Sequence, residues 1–171
     1  MKRLLVLCTG NSCRSVMAEA LINHLGDGRY AAVSAGSTPT GSVHPRALET
    51  LARHGVPAGS PRSKSWDEFA GQAFDVVLTV CDQAASESCP VFLGPAARVH
   101  WSIPDPAKAG GTEDDINRAF EQAFALLRNR IEREILRDLH VELGELRAEI
   151  AALRTAMRPA AAPGQSEREP L

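Results

Sequence analysis

Residues 4–15 read LLVLCTGNSCRS, four apolar side chains followed by a short polar segment that contains a glycine. The apolar run predicts a buried strand that delivers Cys8 to a tight loop, and the pattern over Ser15–Leu25 predicts a helix. In a strand–loop–helix turn of this kind, successive backbone N–H groups point inward and the positive end of the helix dipole lies behind them. The segment is therefore expected to form a nest for an anion.

This segment, residues 8–15, carries the residue types that chemistry on a tetrahedral oxyanion needs, and we call it the oxyanion loop. The planar guanidinium of Arg14 can bind two oxygens of such an ion. Cys8 is expected to lose its proton easily and to act as a nucleophile, because the same donors stabilise a thiolate and the hydroxyls of Ser12 and Ser15 can donate to it as well. The predicted oxyanion-binding residues are Thr9, Gly10, Asn11, Ser12, Cys13, Arg14 and Ser15. The alternative is that Cys8 is only a small buried side chain at a strand end.

The chain has 171 residues, a formal net charge of −2 and four cysteines. This length suffices for one domain and an appendage, and the charge gives no support to nucleic-acid binding. No apolar run reaches membrane-spanning length and no signal peptide precedes the first strand, so we expect a cytoplasmic enzyme. The spacings among Cys8, Cys13, Cys81 and Cys89 differ from the compact pairs of zinc ribbons, and no metal site is expected.

Apolar runs alternate with helical patterns along the chain, which predicts an α/β fold with a parallel sheet. The predicted strands are Arg3–Leu7, Ala31–Ala35, Val76–Val80 and Arg98–His100. The predicted helices lie near Ser15–Leu25, Pro45–His54 and Trp66–Phe69, and a longer one begins around Thr112. Because the carboxyl ends of parallel strands meet at one edge of the sheet, residues that are distant in sequence are expected to converge there.

The character of the sequence changes beyond about Arg130. Apolar side chains recur at spacings of four and three residues at Leu139, Leu143, Leu146, Ile150, Leu153 and Met157. This pattern predicts an amphipathic helix over residues 132–158, either packed on the parent domain or paired with a second copy as a short coiled coil through 136–157. Residues 159–171 have the composition of a disordered tail. Residues 1–131 are then the main domain.

Two further segments follow predicted strands and carry reactive side chains. Cys81 and Cys89 lie in a polar segment after the third strand, where a mobile thiol can reach a neighbouring sulfur in line and exchange partners. Asp105 lies between two prolines after the fourth strand and can protonate an oxygen that leaves during nucleophilic attack. The alternatives are two unrelated loop thiols and an ordinary loop carboxylate.

These motifs together resemble the arsenate reductases of the low-molecular-weight protein tyrosine phosphatase family, over about residues 2–130. The matching residues are Cys8 to Ser15, Ala18-Glu19, Ser34-Ala35-Gly36, Cys81, Cys89 and Asp105-Pro106. The resemblance implies a flavodoxin-like fold, a four-stranded parallel sheet with helices on both faces, to which the C-terminal helix is added.

The resemblance also implies the reduction of arsenate to arsenite, a step in arsenic detoxification. By similarity, Cys8 would attack arsenate held by the loop amides and Arg14, while Asp105 would protonate the departing oxygen. Cys81 would then attack Cys8 and release arsenite. Cys89 would attack Cys81 in turn and leave a Cys81–Cys89 disulfide for an external thiol reductant. That reductant is expected to be thioredoxin, with glutaredoxin and glutathione as the alternative.

Further roles follow from the same resemblance. Asn11 would hold the loop in shape and Ser12 would stabilise the Cys8 thiolate. Some thioredoxin-coupled relatives bind potassium beside this loop, with ligands that correspond to Asn11, Glu19 and Ser34 and an acid further on. Here Lys64 lies near the position of that acid and can supply the positive charge. We therefore expect no potassium requirement and no bound cofactor.

Two other functions stay open at the level of sequence. A phosphatase for phosphotyrosine or small phosphate monoesters, acting through a cysteinyl-phosphate, would share Cys8, Arg14 and Asp105 but would need no further cysteines. Such phosphatases usually place an aromatic residue after the Asp-Pro pair, where this chain has Ala107. A weak phosphatase side activity is expected from the shared site. The other alternative is a non-enzymatic oxyanion sensor that binds a partner through its C-terminal helix.

Overall fold

The computed structural model describes residues 1–81, 84, 95–137, 149, 150 and 153. Contacts between Cα atoms divide the chain into two units, Met1–Leu136 and Arg137–Leu171. Of the six apolar positions in the predicted C-terminal repeat, the described ones are Ile150 and Leu153, which are helical and exposed at 42% and 62%. The rest of that repeat and the tail lie outside the described residues. The domain boundaries, the helix over 132–158 and the coiled coil over 136–157 stay predictions.

The first unit contains a four-stranded sheet in the order β2-β1-β3-β4, with every neighbouring pair parallel. The strands are β1 (Lys2–Cys8), β2 (Tyr30–Gly36), β3 (Val76–Thr79) and β4 (Ala97–His100). The helices are α1 (Arg14–Leu25), α2 (Pro45–Arg53) and α3 (Glu113–Arg130). This is the flavodoxin-like fold that the sequence predicts, with the strand and helix ends shifted by only one or two residues. Trp66–Phe69, predicted as helical, is a short 3₁₀ helix.

The central strand β1 explains why the opening motif is so apolar. Its residues Leu4–Leu7 are fully buried, because β2 and β3 flank this strand and both faces of the sheet are covered. Leu5 and Leu7 belong to a core cluster with Trp66 and Phe74. Alternate side chains of a strand point to opposite faces, so Leu4 and Val6 face the other layer. The strand therefore holds the start of the oxyanion loop rigidly.

Helix α3 begins and ends with distinct local structures. At its start the Thr112 hydroxyl accepts from the Asp115 N–H and the Asp115 carboxylate accepts from the Thr112 N–H, a reciprocal capping box. At its end, Ile131–Ile135 form a π-helix, in which the Leu136 N–H donates to the Ile131 carbonyl, five residues back, at 2.9 Å. None of the helices in the described ranges combines the length and apolarity needed to span a bilayer.

Candidate active site

A cavity of about 730 Å³ lies where the segments after β1, β3 and β4 meet. Five of the residues predicted from the sequence line it, namely Thr9, Gly10, Arg14, Cys81 and Asp105. The convergence that parallel strands predict is thus observed for the oxyanion loop, the first cysteine after β3 and the acid after β4. Cys89 lies outside the described residues.

The oxyanion loop wraps around the sulfur of Cys8. The Asn11 N–H donates to Cys8 Sγ at 3.1 Å, and the Ser15 hydroxyl lies 2.9 Å from the same sulfur. The expectation that Ser12 contacts this sulfur is corrected, because the Ser12 hydroxyl instead lies 3.9 Å from Cys13 Sγ. Asn11 has a φ of +43°, and this left-handed turn sends the chain on to α1 with Ser15 facing Cys8.

The fully buried side chain of Asn11 ties the loop to three other segments. Its Nδ2 group donates to the hydroxyls of Ser15 and Ser34, each at 2.9 Å. Its Oδ1 atom accepts from the Lys64 N–H at 2.8 Å. Because α1, β2 and the segment before Trp66 all contact one amide, the shape of the loop depends on all three.

A partly buried charge pair lies beyond Ser34. The Ser34 hydroxyl donates to the carboxylate of Glu19. The ammonium group of Lys64, whose side chain is 9% exposed, lies 3.7 Å from Glu19 Oε2. Lys64 thus places a positive charge beside Glu19 and Ser34, the position that the sequence suggested for it. Independence from potassium stays a prediction.

The end of β2 approaches the loop closely at Gly36. A Cβ atom at this position would lie 2.4 Å from the Thr9 carbonyl oxygen and 3.0 Å from the Asn11 nitrogen. The first distance is shorter than real Cβ contacts show and the second is tight, and the obstacle is backbone on both sides. Only glycine therefore permits this approach.

Arg14 joins the oxyanion loop to the segment that carries the acid. Its Nη2 atom lies 2.8 Å from Asp105 Oδ2, and its Nη1 atom donates to the Ile103 carbonyl at 2.9 Å. The two charged side chains are 13% and 23% exposed, so this ion pair is only partly screened by solvent. The second oxygen of Asp105 accepts from the Ala107 N–H at 3.2 Å.

Cys81 lies against the oxyanion loop from the neighbouring strand. Its sulfur is 3.5 Å from the Thr9 hydroxyl and accepts from the Ala84 N–H at 3.4 Å. Cys8 and Cys81 are free thiols with exposed fractions of 3% and 4%. Sequence reasoning placed Cys81 at this edge but missed its link to Thr9, which depends on how the two loops face each other.

Burial sets the ionisation of the loop cysteines. Burial raises the pKa of the Cys8 thiol above its ordinary value, and the hydrogen bonds from Ser15 and Asn11 lower that pKa without compensating fully. This differs from the expectation of a readily ionised thiol, since the sequence reveals the donors but not how deeply they lie. Burial also raises the pKa of Cys13 to about 11, as expected of a packed thiol.

Further residues lining the cavity, among them Thr38, Thr40 and Lys108, were not singled out in the sequence. The N–H groups of Thr38 and Thr40 donate to the carbonyls of Thr9 and Gly10, at 2.9 and 3.0 Å. Lys108 lines the same cavity as Asp105. The position of Thr38 just after β2 was a usable signal, because residues that follow parallel strands gather at this edge. Within the described ranges, no three His, Cys, Asp or Glu side chains form a metal-sized cluster.

An amide nest around a cysteine, with an arginine and a carboxylate opposite, defines the class of Cys-x5-Arg proteins that bind tetrahedral oxyanions. The family of low molecular weight phosphotyrosine protein phosphatases matches residues 3–149, and the chain belongs to that family. The resemblance inferred from the sequence is thereby confirmed.

Its relatives within the family include arsenate reductases. One from Bacillus licheniformis is 37% identical over 133 residues, which is 77% of this chain and 94% of the relative. A solved arsenate reductase in its reduced state is 28% identical, with a TM-score of 0.61 over 80% of this chain and 98% of that one. The solved thioredoxin-dependent arsenate reductase of Corynebacterium glutamicum is 25% identical, with a TM-score of 0.59 over 83% of this chain and 63% of that one.

Proposed function

We propose that this protein reduces arsenate to arsenite by a nucleophilic cysteine and an intramolecular thiol relay. The observation that carries the proposal is the position of Cys81, a second free thiol hydrogen-bonded to Thr9 of the loop that surrounds Cys8. A phosphatase that uses Cys8 alone would not need a second thiol there. The arsenate reductases among its relatives support the same conclusion.

In the first step, arsenate binds to the loop amides and to Arg14. The Cys8 thiolate attacks arsenic, an S–As bond forms, and an As–O bond breaks. The departing oxygen takes a proton from Asp105 and leaves as water, since an arsenate hydroxyl already carries the other proton. Burial makes a free thiolate costly, so Cys8 is proposed to give up its proton to the entering oxyanion as it attacks.

Arg14 has two successive partners in this scheme. In the structure its guanidinium holds Asp105 and the Ile103 carbonyl. An entering oxyanion competes for the same planar group, because bidentate contacts to oxyanions are among its strongest. Transfer of Arg14 to the substrate frees the Asp105 carboxyl to turn to the departing oxygen, and the proton that it donates there is replaced from solvent.

In the second step, Cys81 resolves the adduct. Its thiolate attacks Cys8 Sγ, an S–S bond forms and the S–As bond breaks. The electron pair of that bond stays on arsenic, which is reduced from As(V) to As(III) and leaves as arsenite. The Thr9 hydroxyl and the Ala84 N–H both contact Cys81 Sγ and hold this sulfur beside the oxyanion loop.

In the third step, Cys89 attacks Cys81 and restores the Cys8 thiol. The resulting Cys81–Cys89 disulfide is reduced by an external dithiol, which we propose to be thioredoxin. The thioredoxin-dependent relative from Corynebacterium glutamicum supports this choice over glutaredoxin with glutathione. A relay that must be reduced after each turnover suits a reducing compartment, so we place the protein in the cytoplasm, without a bound cofactor.

The test is NADPH oxidation with thioredoxin and thioredoxin reductase, started by adding arsenate. The wild type is expected to turn over, whereas Cys81→Ser and Cys89→Ser are expected to stop after a single turnover at most. Both variants should keep the weak hydrolysis of p-nitrophenyl phosphate that we propose for the shared site, since that reaction requires neither cysteine. Rapid ester hydrolysis without any arsenate turnover by the wild type would make this protein a phosphatase.

A further inference from the structure

The π-helix at the end of α3 contacts Trp101, the first residue of the segment that carries Asp105. The indole N–H of Trp101 donates to Glu134 Oε2 at 2.7 Å. Trp101 is 1% exposed and directly follows β4, whereas Glu134 belongs to Ile131–Ile135. The hydrogen bond therefore joins the C-terminal end of the first unit to the segment 101–105, which we call the acid loop.

The acid loop is fixed at both of its ends. At the start, the Trp101 N–H donates to the Thr79 carbonyl at 2.8 Å, which continues the pairing of β4 with β3. At the other end, Arg14 holds the Ile103 carbonyl and the Asp105 carboxylate. Only three residues separate Trp101 from Asp105. When Arg14 turns to a substrate, Trp101 still anchors the start of this short loop.

The π-helix is itself held in place against the rest of the unit. The Tyr30 hydroxyl donates to the Ile135 carbonyl at 3.0 Å, which ties the turn to β2. The Arg130 guanidinium lies 5.9 Å from the centre of the Trp101 ring, and its Nη1 atom is 3.7 Å from Glu134 Oε1. An insertion that widens a helix by one residue commonly marks a functional position. Here it presents Glu134 to the indole.

We propose that Glu134 is a positioning residue for Asp105, acting through the Trp101 indole on the acid loop. The inference rests on the proposed function, in which Asp105 protonates the departing oxygen. Glu134 is 46% exposed, so its ion pair with Arg130 contributes little. The indole N–H is different, because a buried donor that loses a charged acceptor destabilises the arrangement that buries it.

The experiment compares Glu134→Ala, Glu134→Gln and Trp101→Phe with a matched control. The control is Glu132→Ala, because Glu132 lies in the same π-helix and pairs with Arg128 instead. Kinetics of arsenate reduction are measured for each folded variant. Glu134→Ala is expected to lower kcat about threefold to tenfold with KM within about twofold, since a small misplacement of a catalytic group slows chemistry more than binding.

Rescue and coupling separate positioning from a general loss of structure. Glu134→Gln keeps an acceptor oxygen and should retain more than half of kcat, and Glu132→Ala should match the wild type. The double variant W101F/E134A should be no slower than Trp101→Phe alone, because both changes remove one interaction. Equal losses in Glu134→Ala and Glu132→Ala, or additive losses in the double variant, would overturn the proposal.

A second readout needs no turnover. In a Trp66→Phe background, Trp101 is the remaining tryptophan, and Glu134→Ala should increase its quenching by acrylamide whereas Glu134→Gln should not. If the wild type fails to reduce arsenate, the proposed function is rejected. The quenching result then still decides whether Glu134 holds the acid loop. Unchanged quenching in Glu134→Ala would refute this role of Glu134.

Discussion

Replacing Asn11 by alanine removes three hydrogen bonds from the centre of the oxyanion loop. The lost partners are the hydroxyls of Ser15 and Ser34 and the N–H of Lys64. Each buried neutral hydrogen bond contributes about 0.5–1.5 kcal/mol net, so together they contribute about 2–4 kcal/mol. The left-handed backbone at Asn11 adds about 1 kcal/mol, because alanine tolerates it less well than asparagine.

The expected loss of about 3–5 kcal/mol, a rough sum of these contributions, leaves a folded protein if the wild-type stability lies above the lower end of the usual range of about 5–15 kcal/mol. Urea unfolding measures this loss in the free energy of unfolding, provided that the dependence on urea concentration (the m value) is the same for both proteins. The loop should also bind inorganic phosphate about tenfold more weakly, because displaced amides no longer converge on one ion. Isothermal titration gives that dissociation constant.

Asn23→Ala is the matched control. The Asn23 amide also makes two hydrogen bonds, to the N–H and the carbonyl of Ala32, but this side chain is exposed and lies away from Cys8. We expect a smaller loss of stability from Asn23→Ala and unchanged phosphate binding. If Asn11→Ala costs less than about 1 kcal/mol, or no more than Asn23→Ala, the assignment of Asn11 as the centre of the loop is refuted.

Two further predictions concern Cys8 and Lys64. Burial raises the pKa of Cys8 in the folded state, so the folded protein holds this proton more tightly than the unfolded chain does. The resulting contribution to the free energy of unfolding is fully present below the ordinary thiol pKa of about 8.5 and is lost as pH rises through the higher pKa of the folded state. Alkylation of the Cys8 peptide by iodoacetamide, followed by mass spectrometry, should still be accelerating above about pH 9, and a plateau near pH 7 would contradict this. The wild type should turn over equally fast in potassium and sodium buffers of equal ionic strength. Lys64→Ala should lower the turnover rate in both buffers, whereas Lys64→Arg should not. Strong potassium stimulation of the wild type would show that the ammonium group does not replace the ion.

Local signals in the sequence were sufficient for the sheet and for the opening loop. Leu4–Leu7 predict a central strand because only a strand covered on both faces tolerates four successive apolar side chains. Asp105 and Cys81 could be placed near Cys8 because the rule for parallel strand ends needs only the order of the elements. Both inferences depend on topology and not on side-chain detail.

Other features depend on how separate segments face one another. Both Ser12 and Ser15 were predicted as possible donors to Cys8. The contact with Ser15 depends on the single left-handed residue Asn11, which the motif alone does not specify. The raised pKa of Cys8 reflects the depth of the loop, and depth is a property of the packed molecule. The contact between Thr9 and Cys81 joins residues 72 positions apart through two loops whose mutual orientation no local pattern encodes.

The close approach of Gly36 to the backbone of Thr9 and Asn11 bears on attempts to transplant this chemistry. An engineer who grafts the eight-residue motif onto another α/β scaffold copies the cysteine, the arginine and the amides. A side chain at the end of the adjacent strand would nevertheless push the Thr9 carbonyl out of place. The unit to transfer is thus two adjacent strand ends, the second of which finishes in glycine. A host that lacks this glycine should yield a motif without a working anion site.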